Sequence, residues 1–164
     1  MNSFFPDAIT SWNNIITYFE NIPSYSILKN HLLTLIKPKK KSIFGIHDPQ
    51  GLRKLFQLRV GLSPLSYHKR CHNFIDTPSD NCFCHQGIED TKHFLFSCIL
   101  FVNQRATLIA TITEILRKYN LNQLINKENL YLYGNEAIDP VDNNKIILST
   151  IKYIKDTERF SVVD

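Results

Sequence analysis

Four side chains within one short stretch limit what this chain can fold into. Residues 81–98, NCFCHQGIEDTKHFLFSC, set Cys82, Cys84, His93 and Cys98 in the pattern C-x-C-x8-H-x4-C. Thiolate sulfur and imidazole nitrogen are the donors that a borderline-soft ion such as Zn²⁺ prefers, and a closed set of three sulfurs and one nitrogen is a usual structural site. Such a site joins chain segments that could not otherwise hold one another, so the stretch reads as a zinc knuckle.

The spacing sets geometric conditions. If residues 81–84 are extended, side chains alternate, and Cys82 and Cys84 point to one side while Phe83 points to the other. Gln86, Gly87, Glu89 and Asp90 then form a turn, with Gly87 suited to a positive φ, and Thr91 is the expected cap of a short helix carrying His93. On a continuous α-helix residues five apart lie about 140° from a common face, so His93 and Cys98 cannot share a metal across an unbroken helix. The helix is therefore expected to loosen or end near Phe96 and Ser97, with Cys98 opening the next element.

Other uses of these residues compete with this one. Free cysteine is among the most buried residue types, and Phe94, Leu95 and Phe96 supply an apolar setting. Two disulfides are formally available to four cysteines, but C-x-C is a poor intramolecular pair. Cys71, His72 and His85 lie close enough in sequence to replace a ligand. Cys71 falls within a predicted helix, where the role of a small buried hydrophobe is expected and that of a ligand is not.

Composition suits a small globular module. The chain has 164 residues, 43% hydrophobic and 21% charged, enough to bury a core and unlike a disordered segment. No apolar run approaches the roughly 18 residues of a membrane span. The opening MNSFFPDAITSW lacks a basic region followed by an apolar one, so an intracellular setting, cytoplasmic or nuclear, with reduced thiols is expected. The net charge of +4 is unevenly placed. Residues 29–72 hold ten basic side chains against Asp48 alone, a net of +9, whereas residues 73–164 hold nine basic and twelve acidic. Arg53, Lys54, Arg59, Lys69, Arg70 and the run Lys39, Lys40 and Lys41 are the candidates for contacting nucleic-acid phosphates. Arg53, Lys54, Lys69 and Arg70 are expected to share one face, with the three lysines as an arm beside it.

Periodicity predicts a mainly α fold, a small helical domain built around the zinc knuckle with at most short β segments. Residues 1–41 read as an N-terminal helical extension and basic linker: one helix carries Ile9, Trp12, Ile16 and Phe19, another Leu28, Leu32, Leu35 and Ile36, and KPKKKS follows. Residues 42–164 read as the domain containing the knuckle. There Asp48-Pro49 opens a helix over 49–60 with Gly61 just beyond its end, and Ser63-Pro64 starts a short helix carrying His68, Lys69, Arg70 and His72. Each of these histidines is expected to serve packing. A long helix after Cys98 ends near Asn120, LYLYG is a helix end or a strand, and Asp139-Pro140 opens a last helix through Phe160 with Lys145, Lys152, Lys155 and Arg159 outward.

No catalytic constellation is visible: there is no Gly-rich phosphate loop, no nucleophile elbow and no paired-carboxylate motif. A metal saturated by four protein ligands leaves no position for an activated water, so neither an enzyme nor a small-molecule substrate is expected.

These residues carry a family resemblance. The run from Leu58 through Arg105 resembles the zinc-binding C-terminal region of reverse transcriptases from non-LTR, LINE-like retrotransposons. The family's R-x-x-x-S-x-L stretch is matched by Arg59, Ser63 and Leu65, and its paired histidines by His68 and His72 at a shortened spacing. The C-x-C pair is matched by Cys82 and Cys84, and the closing segment by Asp90-Thr91, His93 and Cys98. The resemblance implies a structural Zn²⁺ and a non-catalytic module holding RNA or DNA near the polymerase. The alternative is a structural or protein-interaction module that docks on a reverse-transcriptase body or another partner.

Overall fold

The computed structural model describes residues 46–161. The chain divides between Lys39 and Lys40, and all described residues belong to the second unit, Lys40–Asp164. The helices expected before residue 37 and the run Lys39, Lys40 and Lys41 lie outside the described residues.

Five α-helices make up this part: α1 (Pro49–Arg59), α2 (Ser66–Cys71), α3 (Val102–Lys118), α4 (Glu128–Tyr133) and α5 (Pro140–Asp156). Among the described residues there is no strand, only an isolated antiparallel bridge between Asn81 and Ile88. The expected mainly α class is what the chain adopts.

The ends follow local chemistry. Asp48 accepts the Gly51 N–H at 2.9 Å, with Pro49 opening the helix. At the other end Gly61 takes φ 70° and Leu62 N–H reaches the Gln57 carbonyl at 2.9 Å, a closure that needs the left-handed conformation glycine supplies. Asp139 caps α5 through the Val141 and Asp142 amides at 2.8 and 2.9 Å. LYLYG is a helix end, for α4 stops at Gly134 with φ 75°.

Helix α5 is central and packs on α1, α3 and α4. Its Ile146, Ile147, Ile151 and Ile154 are buried with Leu108, Ile112 and Leu116 of α3 and Leu55 and Leu58 of α1. Phe94, fully buried, meets the rings of Phe101, Tyr153 and Phe160 at centroid distances of 5.5, 5.1 and 5.5 Å. Full burial of one such side chain contributes roughly 1.5–3 kcal/mol, so this aromatic cluster anchors the knuckle segment to the helical core.

Two expectations are corrected here. Helix α5 ends at Asp156, because Glu158 takes φ 54° and turns the chain back, so that Phe160 enters the core and Arg159 points inward. The segment Ile99–Lys118, with mean hydropathy 1.3, is long and apolar enough to cross a membrane by length and composition, although polar residues interrupt it. Its apolar stripe packs against α5, as the core helix of a globular domain does.

Candidate metal centre

The knuckle begins as a tight two-sided turn. Cys82 N–H donates to the Gly87 carbonyl at 2.8 Å, His85 N–H to the Cys82 carbonyl at 2.9 Å, and Glu89 N–H to the Asp80 carbonyl at 2.8 Å. Gly87 has φ 149°, a value that favours glycine, and His85 takes φ 59°. Cys82 and Cys84 are 2% and 8% exposed while Phe83 between them is 70% exposed, the alternation expected of an extended pair.

The helix that follows is capped by Asp90 rather than Thr91. The Asp90 carboxylate accepts the His93 N–H at 2.6 Å, whereas Thr91 is buried with its hydroxyl 3.4 Å from His68 Nε2. The segment then widens into a π-helical turn, His93–Ser97, in which Cys98 N–H donates to the His93 carbonyl at 2.8 Å. At about 4.4 residues per π-turn, five residues bring two side chains within about 50° of one face instead of about 140°. That one wide turn lets His93 and Cys98 face the same point.

The four predicted ligands converge. One donor atom from each of Cys82, Cys84, His93 and Cys98 lies within 4.8 Å of every other. Cys82 Sγ is 3.6 Å from Cys98 Sγ, and Cys84 Sγ is 3.2 Å from His93 Nε2. Ligand bonds of 2.3 Å to sulfur and about 2.05 Å to nitrogen at tetrahedral angles require separations of about 3.8 Å and 3.6 Å. The set is thus close to the size of a tetrahedral site and able to hold a metal ion. Cys71, His72 and His85 are not part of it. Cys71 is exposed at the end of α2, not buried as expected, because α2 turns that flank to solvent.

The surroundings oppose thiolate charge at Cys82 and Cys98 and favour it at Cys84. Burial pushes the Cys82 thiol up to about 12 and raises that of Cys98. At Cys84 burial also acts upward, but the Gln86 amide, neighbouring thiols and the Ile99 amide outweigh it and lower the value. Each sulfur receives main-chain help: Cys82 from the Cys84 amide, Cys84 from those of Gln86 and Ile99, and Cys98 from that of Leu100. Amide dipoles aimed at sulfur stabilise negative charge there, and a divalent cation supplies what burial opposes.

A buried polar frame that sequence reasoning missed holds this turn. Glu89, 1% exposed, accepts the Ser66 N–H at 2.7 Å and hydroxyl at 2.6 Å, and pairs with Arg159 Nε and Nη2 at 2.6 Å each. Burial raises the Glu89 carboxyl, but Arg159 and Ser66 outweigh it and hold it below its ordinary range. Arg159 also donates to the Pro64 carbonyl at 2.9 Å and lies over the Phe83 ring. His68 is a buried link, with Nδ1 2.7 Å from Ser63 Oγ and Nε2 facing Thr91, and burial lowers its pKa to about 4. Tyr153 donates to the Phe94 carbonyl at 2.5 Å and Arg105 to the Cys98 carbonyl at 2.6 Å. Glu89 read in the sequence only as part of a polar turn, because its partner Arg159 lies 70 positions away.

The candidate phosphate contacts are divided. Arg53 and Arg70 are exposed, and Lys54 and Lys69 half-buried. Lys69 pairs with Asp76 at 3.4 Å, and Arg70 donates to the Pro78 carbonyl at 3.2 Å. Arg59 leaves the candidate set: it is 5% exposed, donates through Nε and Nη2 to the Leu132 carbonyl and lies over the Tyr133 ring, tying α1 to α4. Comparisons with protein families, curated proteins and solved structures find no match to this chain.

Proposed function

We propose that this chain is a zinc-stabilised nucleic-acid-binding module, non-catalytic by itself, similar in kind to the C-terminal region of a non-LTR retrotransposon reverse transcriptase. The observation that carries the reading is the convergence of Cys82, Cys84, His93 and Cys98 within 4.8 Å, a closed set of three thiols and one imidazole. Such donors select Zn²⁺ and complete its tetrahedron, which makes the ion structural. The positions behind the resemblance also act together: Ser63, His68, Thr91 and Asp90 frame the knuckle, and Leu65 is fully buried beside them.

Nucleic-acid binding draws its support from the basic segment. Arg70 and the exposed Phe74 line an open hollow of about 400 Å³ with Asn73, Ile75, Thr77 and Pro78. A cation for phosphate beside an aromatic face for a base is the pairing that single strands use. Lys39, Lys40 and Lys41 add charge next to this domain in sequence. A second reading, docking on a polymerase body or other protein, is favoured by exposed apolar side chains: Ile75 is 101%, Phe83 70% and Phe74 53% exposed.

Metal analysis of the purified chain should return one zinc per molecule, retained by Cys71→Ala and lost by Cys84→Ser. Binding to single-stranded RNA and DNA over a salt series should weaken steeply, the log–log slope falling by about 0.7–0.9 for each phosphate contact removed. Neutralising Lys39, Lys40 and Lys41 together should flatten that slope with zinc content unchanged. Equally weak binding to nucleic acid and to an unrelated polyanion would instead support the docking module.

A further inference from the structure

The centre proposed above carries a charge its ligands leave uncompensated. Three thiolates and a neutral imidazole around a divalent ion sum to −1, in a site whose cysteines are 2%, 8% and 0% exposed. A buried net charge is costly unless an opposite one lies beside it.

Arg105 meets that description: it touches the Tyr153 hydroxyl as well as the Cys98 backbone, and neither of these neighbours carries a charge that would offset its own. It is 7% exposed, and its Nη2 donates to the Cys98 carbonyl at 2.6 Å, fixing the guanidinium against the backbone of a ligand. Its Nη1 is the one buried side-chain polar atom without a hydrogen-bond partner among the described residues. The residue sits in the opening turn of α3, Val102–Lys118, where a cation runs against the helix dipole. Neither helix stability nor a carboxylate partner explains a buried arginine there. A negatively charged centre that includes Cys98, whose carbonyl the guanidinium holds, does.

We infer that Arg105 is the counter-charge of the metal centre, its guanidinium offsetting the −1 charge of a divalent ion held by Cys82, Cys84, His93 and Cys98. This rests on the metal-binding reading above. Arg105 is a positioning residue, outside the ligand set, and acts on metal affinity and thiolate reactivity.

The test compares the full chain with Arg105→Met, which keeps length and loses charge, and Arg105→Lys, which keeps charge and loses the fork. Zinc affinity is measured by competition with a chromophoric chelator at neutral pH, and alkylation of the zinc-loaded protein by iodoacetamide is followed alongside. Arg105→Met should lose roughly tenfold or more in affinity, the usual scale for a group behind the ligands, and its thiols should alkylate faster; Arg105→Lys should stay within about threefold of the parent on both readouts. Parental behaviour of Arg105→Met overturns the inference, and so does a fall in Arg105→Lys as deep as in Arg105→Met, which would assign the residue to bracing the Cys98 carbonyl. If the parent itself binds no zinc, the metal reading fails and not only this step. Should Arg105→Met fail to fold, exchange of the Arg105 guanidinium protons in the parent decides: zinc loading should slow it, and equal exchange with and without zinc overturns the proposal.

Discussion

Single residues carry a pH dependence that composition would not suggest. His68 lies between Ser63 and Thr91, with His72, Glu89 and Asp90 acting on it electrostatically, and burial lowers its pKa to about 4. An unfolded histidine titrates near 6.5, so between that value and about pH 4 the unfolded chain binds a proton the folded one refuses. This stability is present above pH 6.5 and lost as pH falls toward 4, on the order of 3 kcal/mol in all. The His68 ring resonances should stay neutral down to about pH 4, and His68→Gln at saturating zinc should lose much of the stability slope over that window. Titration of the ring near 6.5 would remove His68 from the frame. The Glu89 and Arg159 pair makes the second residue-scale case. Arg159→Met leaves a carboxylate that is 1% exposed without its cation, and denaturant unfolding should show a loss of about 3 kcal/mol. A loss below 1 kcal/mol would mean that the Ser66 amide and hydroxyl alone satisfy Glu89.

Among the elements, two departures from regular helix do the positioning. The π-turn His93–Ser97 converts a five-residue spacing into a shared face, and the reversal at Glu158 carries Arg159 and Phe160 back to the knuckle. Contact between α1 and α5 depends instead on the absence of a side chain. A Cβ on Gly51 would fall under 3.0 Å from Ile151 Cγ2 and from the Asp48 carboxylate that caps α1. Gly51→Ala removes a glycine from the first helical turn, which alone would stabilise by less than about 1 kcal/mol. Overpacking against α5 and a displaced cap should reverse the sign, for a net loss of roughly 1–3 kcal/mol in thermal or denaturant unfolding. A more stable Gly51→Ala protein would show that the two helices separate without cost.

At the scale of the whole molecule, the knuckle has one support in the helical core and would gain a second from an ion held by Cys82, Cys84, His93 and Cys98. Phe94 is held by Phe101, Tyr153 and Phe160, so this part of the knuckle segment has an anchor that needs no ion. The turn carrying Cys82 and Cys84 rests on the Glu89 frame and on the ligands themselves. Chelation should therefore raise hydrogen exchange most over residues 81–90 and least in α3 and α5. Uniform protection before and after chelation would mean that the frame suffices alone, and global unfolding that the ion supports the entire core.

Much was legible in the chain because it depends on neighbours in sequence. The helix starts at Asp48-Pro49 and Asp139-Pro140, the closure at Gly61, the mainly α class, the convergence of Cys82, Cys84, His93 and Cys98 and the loosening of the helix before Cys98 all follow from spacing and local chemistry. Even there the cap at Asp90 was misplaced by one residue, since Asp and Thr are both good caps and burial of Thr91 beside His68 decided between them. What only the tertiary structure settled involves partners far apart: Arg59 with the Leu132 carbonyl, Arg159 with Glu89, Tyr153 with the Phe94 carbonyl. An arginine in an amphipathic helix looks the same in sequence whether its guanidinium faces water or a buried carbonyl. The difference is set by which acceptor the folded core leaves unsatisfied beside it, and that is a property of packing, not of pattern.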